Sequence, residues 1–265
     1  MVGSDHQNRH FSLPSFLIPT AIAMSTSSTA ARRLLFLHGQ FIAPRYYEEH
    51  IAVDLFKALR DDGWDCSFVK SPRACPDAPP EILYQMFPEM EAEKDHPEWL
   101  NAQTNEADGT KTYLGLDTSL AFLQNYLRTQ PHFDVIAGHS NGALMASILS
   151  LKMRAEGEAF LPKNKHWSGV LVCNAPASYE TETQLAATVI ARFGPSVTNL
   201  PSVHVFGGPT DWTWEGQQQF QRIHHPHGAT IVQHEAGHFF PTGEAGKRCN
   251  DQIVAALNAI VPKKS

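Results

Sequence analysis

The sequence predicts a doubly wound α/β fold, a mostly parallel sheet flanked by helices, and three observations carry that expectation. Short apolar runs rich in β-branched residues alternate with stretches of helical spacing from Leu34 to Val261. One run, Phe133 to Ala137, leads through Gly138-His139-Ser140-Asn141-Gly142 straight into the helix-forming Ala143 to Leu149, a strand, sharp turn and helix in succession. A chain of 265 residues, 42% hydrophobic and 18% charged, can bury one core of this kind.

Residues 1–32 differ from the rest. Asp5 is their only acid, Ser25 to Thr29 is all Ser and Thr, and the apolar stretch Phe11 to Met24 is broken by Pro14 and Pro19. They read as a disordered or targeting-like extension, too interrupted for a membrane-spanning helix. Residues 33–265 read as a single domain. Leu34-Leu35-Phe36-Leu37 is continuous and apolar, as a strand buried on both faces must be, and ends in His38-Gly39-Gln40-Phe41. Residues 46–62 follow with Ile51, Leu55, Phe56 and Leu59 at helical spacing, and Gly63 is a natural stop. Asp65 to Val69 is the next strand, and a β-α-β crossover makes the pair parallel.

Residues 71–112 break this rhythm with Pro72, Pro76, Pro79, Pro80, Pro88 and Pro97, and with the acids Glu89, Glu91, Glu93, Asp95 and Glu98. Tyr84, Met86, Phe87, Trp99 and Leu100 are interleaved, so the insert reads as a lid or pocket wall, with a plain surface excursion as the alternative. Helical spacing resumes over Tyr113 to Thr129. After the turn at Ser140 the pattern gives a helix to about Met153, a strand over Gly169 to Cys173 and a helix over Leu185 to Phe193. A strand over Val203 to Phe206, a helix over Gln217 to Ile223, a strand over Ala229 to Val232 and a closing helix over Ala245 to Val261 complete it.

The net charge of −6 leaves no basic footprint and argues against a nucleic-acid partner. Cys66, Cys75, Cys173 and Cys249 form no C-x-x-C and read as free thiols in a reducing compartment, hence a cytoplasmic protein, although the extension leaves organelle targeting open.

Ser140 occupies the centre of G-x-S-x-G. Two glycines allow a tight turn that projects the hydroxyl in front of a helix N-terminus. An ordinary βα turn is the plain alternative. A serine needs a base, and the base an orienting acid; on this kind of sheet they follow in the order Ser, acid, His, at strand ends. Of fourteen histidines, His238 lies just after the last strand and before the last helix. Asp211 follows Gly207-Gly208-Pro209-Thr210 at the end of the preceding strand; Glu215 is its rival, and a mere helix cap is the alternative role. The oxyanion formed in acyl transfer needs two backbone donors, expected at Asn141 and at Gln40 or Phe41. His139 should point away from the serine, and His38 should brace its turn. Phe41, Trp99 and Trp212 are candidate pocket residues, although such aromatics can equally be core.

His234-Glu235-Ala236-Gly237-His238 matches H-E-x-x-H letter for letter. That motif holds zinc only when a helix stacks its two histidines, and here a β-branched run leads in, Gly237 interrupts and Pro241 follows. No metal and no organic cofactor is expected.

With Leu37-His38-Gly39, Tyr113, Ser119-Leu120, the Ser140 turn, Gly208 to Asp211 and Gly237 to Pro241 in place, residues 33 to 262 resemble the FSH serine hydrolases of the α/β-hydrolase superfamily. Their elbow usually reads Gly-Phe-Ser-Gln-Gly or Gly-Phe-Ser-His-Gly, so His139 and Asn141 depart from it, and so does Gln40 after Leu-His-Gly. The resemblance implies an α/β-hydrolase fold and a cofactor-free hydrolase of small-molecule carboxylic esters or thioesters. A non-catalytic binding protein on the same fold and a zinc hydrolase using residues 234–238 are the alternatives.

Overall fold

Side chains alternate across a strand, and β1 (Arg32–Leu37) shows what that does here: Leu34 and Phe36 enter one apolar cluster, Leu35 and Leu37 the other. The computed structural model describes residues 31–94, 96–105, 107–109, 111–176, 200–214, 217 and 229–263. Arg32, expected in the extension, opens β1; it is buried, with its guanidinium on the Asp62 carboxylate.

The helical spacing over 46–62 does not give one helix. It gives α1 (Pro44–Tyr46), a π turn (Tyr47–Ile51), a break at Ala52 and then α2 (Val53–Asp61). The wider turn presents both Tyr46 and Tyr47 to the interior. Strand β2 (Trp64–Val69) pairs parallel with β1. The insert is more regular than its prolines suggest. Strand β3 (Arg73–Ala74), helix α3 (Glu81–Met86) and strand β4 (Pro97–Glu98) come first, β3 pairing antiparallel with β4. Strands β5 (Asn101–Thr104) and β6 (Lys111–Leu114) then form a second antiparallel pair.

Helix α4 (Leu116–Thr129) leads to β7 (Val135–His139), and α5 (Asn141–Glu156) follows. Nearly every residue of α5 to Met153 is buried, which explains why it lacks a polar stripe. Strands β8 (Gly169–Cys173), β9 (Ser202–Phe206) and β10 (Ala229–Gln233) and helix α6 (Gly243–Ile260) complete the described chain. The helices expected at Leu185 to Phe193 and over most of Gln217 to Ile223 lie outside the described residues.

Among the described residues the main sheet has six strands in the order β10-β9-β8-β7-β1-β2, every neighbouring pair parallel. The chain steps outward from β1 to β2, returns to β7 on the other side of β1, and continues outward to β10. The order therefore reverses between β1 and β7, and a crevice at the carboxyl ends of those strands is where such a sheet binds ligands. Helices α4 and α5 cover one face of the sheet, α2 and α6 the other. Among the described residues no helix is long and apolar enough to cross a membrane.

Candidate active site

The turn after β7 is built by close backbone approach. A Cβ on Gly138 would lie 2.2 Å from the Gly142 carbonyl oxygen, and one on Gly142 would lie 2.1 Å from that of Leu37. Only glycine fits at either place, which explains the G-x-S-x-G spacing. Between them Ser140 has φ 52° and ψ −124°, a strained conformation for a residue with a side chain, held by its amide donating to the Cys173 carbonyl at 2.9 Å. The hydroxyl projects from the turn at the N-terminus of α5.

His238 Nε2 lies 2.9 Å from Ser140 Oγ, and its Nδ1 lies 3.1 and 3.3 Å from the two Asp211 carboxylate oxygens. Three residues that the sequence scatters over 98 positions thus meet at the ends of β7, β9 and β10. Asp211 is buried and accepts at both oxygens: from the Thr213 amide at 2.9 Å and hydroxyl at 2.8 Å, and from Asn174 Nδ2 at 2.9 Å and Gln217 Nε2 at 2.6 Å. Burial alone would raise its carboxyl. The hydrogen bond and charge of His238, then the Thr213 amide and Asn174, outweigh burial and hold it well below the usual carboxylate range. Asp211 thereby also caps its own turn while facing His238 Nδ1. Glu215 lies outside the described residues.

Asn174, Thr213 and Gln217 were missed by the sequence reading. Asn174 had a signal, since it is the polar residue ending an otherwise apolar strand at the edge where the site forms. It has φ 47°, and its Nδ2 also donates to the Gly237 carbonyl, tying the Asp211 loop to the His238 loop.

Of the two expected oxyanion donors, Asn141 supplies the first amide of α5, which by position has no acceptor inside the helix. The Phe41 amide donates to the Pro97 carbonyl at 2.8 Å, which leaves Gln40 as the candidate from the loop after β1. The Gln40 side chain is anchored on buried Glu98, and Glu98 is paired with Arg73. Phe41 itself is half-buried against the core. Trp99 is a correction: it is 0% exposed, stacks on His38 and donates from Nε1 to the His38 carbonyl, so it is core and not pocket wall. Trp212 is 74% exposed with its ring 5.0 Å from that of His238, at the mouth of the site.

The two unusual elbow residues have structural partners. Asn141 Oδ1 accepts from the Trp99 amide at 2.8 Å and Nδ2 donates to the Leu100 carbonyl at 3.0 Å, fastening the 71–112 insert to the elbow. His139, expected only to point away from the serine, has partners on both ring nitrogens. It is buried, its Nδ1 is 2.9 Å from Tyr47 Oη and its Nε2 is 2.8 Å from the His238 carbonyl oxygen. Burial, then the nearby His238, push its imidazole down to about 3, so it is neutral. His38 braces its turn as expected: Nε2 accepts the Ser71 amide at 2.9 Å, Nδ1 donates to the Gly39 carbonyl, and burial pushes it down to about 4.

Residues 234–238 form bends and a turn, with Gly237 at φ 65°, so the helix that H-E-x-x-H requires is not formed. His234 Nδ1 accepts the Ala236 amide, and both ring nitrogens of His238 already face Asp211 and Ser140.

Among curated protein sequences none matches this chain closely. Solved structures share its fold. Zea mays acyl-protein thioesterase 2 superposes with a TM-score of 0.59 at 15% identity, covering 87% of this chain and 96% of that one. Esterase PE8 gives 0.55 at 16% identity over 88% and 94%. The RedJ thioesterase of the prodiginine biosynthetic pathway in Streptomyces coelicolor gives 0.51 at 14% identity over 94% and 91%. At these identities the likeness is one of architecture, the α/β-hydrolase fold. The family model described as "Serine hydrolase (FSH1)" matches residues 24–248. Spanning most of the sequence, from before β1 into α6, that match places the chain in the FSH1 family of serine hydrolases.

Proposed function

We propose that this serine hydrolase cleaves small-molecule carboxylic esters or thioesters through an acyl-enzyme on Ser140, with His238 as general base and acid and Asp211 as its orienting carboxylate. The observation that carries the proposal is the continuous line from Ser140 Oγ to His238 Nε2 at 2.9 Å and from His238 Nδ1 to Asp211 at 3.1 Å.

Ser140 Oγ attacks the acyl carbonyl carbon as its proton passes to His238 Nε2. The carbonyl π pair moves onto oxygen, and the amides of Asn141 and Gln40 receive that oxyanion. Asp211 keeps His238 in the tautomer with Nδ1–H and stabilises the imidazolium. Collapse of the tetrahedral species breaks the bond from carbon to the leaving oxygen or sulfur, which takes the proton from Nε2. Water then repeats the sequence: its proton goes to His238, its oxygen bonds to the acyl carbon, and Ser140 Oγ leaves and is reprotonated.

The 71–112 insert is proposed as a pocket wall more than a hinged lid. Its backbone is tied to the elbow through Asn141 and to the loop after β1 through the Phe41 amide. Trp212 is proposed as an apolar contact at the mouth. Four unpaired cysteines support placement in a reducing cytoplasm.

A chain-length series of aryl esters run beside matching thioesters tests the reading. Hydrolysis that disappears with Ser140→Ala supports it and names the preferred bond. Hydrolysis that survives Ser140→Ala, or that chelation abolishes, contradicts it.

A further inference from the structure

The loop after β1, the elbow and the base loop are joined behind the reacting groups by one buried line of hydrogen bonds. Its polarity can be read without ambiguity. The His238 carbonyl can only accept, so His139 Nε2 carries the proton and donates to it at 2.8 Å. Neutral His139 then presents Nδ1 as an acceptor, and the Tyr47 hydroxyl donates to it at 2.9 Å. The hydroxyl oxygen in turn accepts the Gly39 amide at 2.8 Å. Each donor faces an acceptor from Gly39 to His238, and both Tyr47 and His139 are fully buried.

The line touches the site at two places. At one end it fixes the amide next to Gln40, the proposed oxyanion donor. At the other it fixes the main chain of the proposed base at its own carbonyl, while Asn174 fixes the neighbouring Gly237 carbonyl. The turn from Ala236 to Phe239 lies outside the strand ladder; the Gly237 amide on the Gly207 carbonyl at 3.2 Å and the side-chain bonds to the Gly237 and His238 carbonyls together set where the His238 ring stands. The His139 ring also packs against that of His238, with centroids 5.1 Å apart, and against Phe240 at 5.3 Å.

We infer that His139 is a positioning residue for the reaction: through Tyr47 and the His238 carbonyl it holds the oxyanion loop and the base in register with Ser140. The inference rests on the proposed function and deepens it. It gives the unusual elbow residue a task that phenylalanine, with no ring nitrogen, cannot perform. His139 neither touches substrate nor gains or loses a proton. Its effect falls on the orientation of His238 during proton transfer, and so on kcat more than on KM.

Steady-state kinetics on an aryl ester, with thermal unfolding and fluorophosphonate labelling alongside, test it. His139→Phe keeps the ring and removes both hydrogen bonds; its kcat should fall about 10–100-fold with KM within about twofold, since small misplacement of a catalytic group has that scale of effect. His139→Gln restores a donor at the position of Nε2 and should return to within about fivefold of the wild-type kcat. A wild-type kcat for His139→Phe overturns the inference, and so does a His139→Gln enzyme as slow as His139→Phe, which would mark a purely structural residue. If His139→Phe does not fold, Tyr47→Phe decides: a kcat lower by about 3–10-fold at unchanged KM supports the inference, and an unchanged kcat overturns it. A wild-type enzyme that labels and turns over at Ser140 while His139→Phe matches it overturns this inference alone. A wild type that turns substrate over without an adduct at Ser140 overturns the proposed function and this inference with it.

Discussion

The loop after β1 and the loop after β10 each carry a histidine at the carboxyl edge of the sheet, and the two are bonded in opposite ways. His38 is fully buried, and both of its ring nitrogens bond main-chain groups, the Ser71 amide and the Gly39 carbonyl. His238 keeps some solvent exposure, and both of its ring nitrogens face side chains, Ser140 and Asp211. Main-chain partners fix the protonation state of His38, because its acceptor nitrogen faces an N–H that a second ring proton would repel. Side-chain partners that can themselves give up or stabilise a proton suit His238 to the proposed role of shuttling one. Residue type and strand-end placement are the same; the difference in proposed role lies in what each nitrogen meets. His139 stands between the two, bonded to a side-chain hydroxyl on one nitrogen and to main chain on the other.

The comparison is broken most severely at the reactive end. Ser140→Ala should lower kcat for ester hydrolysis by about 10⁴-fold or more while leaving the thermal midpoint near that of the wild type, as read by steady-state kinetics and calorimetry. Asp211→Asn should cost about 10²–10⁴-fold in kcat, because the amide can place an N–H against Nδ1 and favour the wrong tautomer. At the bracing end the same kind of change should act on stability. His38→Leu leaves the buried Ser71 amide without an acceptor and should lower unfolding stability by about 1–3 kcal/mol in urea titrations.

The two tryptophans repeat the contrast. Trp99→Ala opens a cavity under the Ser140 turn and should cost about 3–5 kcal/mol, whereas Trp212→Ala, at the exposed mouth, should change stability by no more than about 0.5 kcal/mol and raise KM for apolar esters. A stability loss at Trp212, or none at Trp99, would reverse their assignments.

Acid titration sharpens the contrast further. His38 and His139 have imidazoles pushed from 6.5 down to about 4 and about 3. Below pH 6.5 the unfolded chain binds protons at these positions and the folded chain does not. Stability therefore rises with pH in that window: it is fully present above 6.5 and is lost as pH falls toward 4. His234, lowered by burial, adds to the same slope. Asp211 acts with the same sign in a lower window: its depressed carboxyl contributes stability that is present above the ordinary value of 3.8 and lost as pH falls below it. The thermal midpoint should drop as pH goes from about 7 to about 4.5, and His139→Phe should flatten the slope relative to the wild type.

The strands of the main sheet, and the strand-end placement of Ser140, Asp211 and His238 that brings them together, were legible in the sequence because both rest on local patterns. A strand buried on both faces needs an unbroken apolar run such as Leu34 to Leu37, and a turn with backbones as close as those at Gly138 and Gly142 needs glycine at both places. What was not legible depends on contacts between distant segments. Nothing local in residues 46–62 announces a π turn, whose effect is to bring the Tyr47 hydroxyl to Gly39 and His139. Nothing near Trp99 separates a pocket wall from a core ring; that was settled by its bond to the His38 carbonyl. The prolines and acids of 71–112 concealed two small antiparallel pairs, because strands as short as β3 and β4 are too brief to show a period. The partners of His139 were hidden for the same reason: alternation along β7 predicts which face its Cβ leaves from, but not that the His238 loop folds back over that face.

The central claim is that Ser140 is made nucleophilic by the hydrogen-bonded line through His238 to Asp211. Intact-protein and peptide mass spectrometry after brief exposure to a fluorophosphonate probe tests it most directly. The account predicts one adduct per chain, mapped to Ser140, absent in Ser140→Ala and formed far more slowly in His238→Ala. An esterolytically active protein with no adduct at Ser140, or one that His238→Ala labels at the wild-type rate, would contradict it.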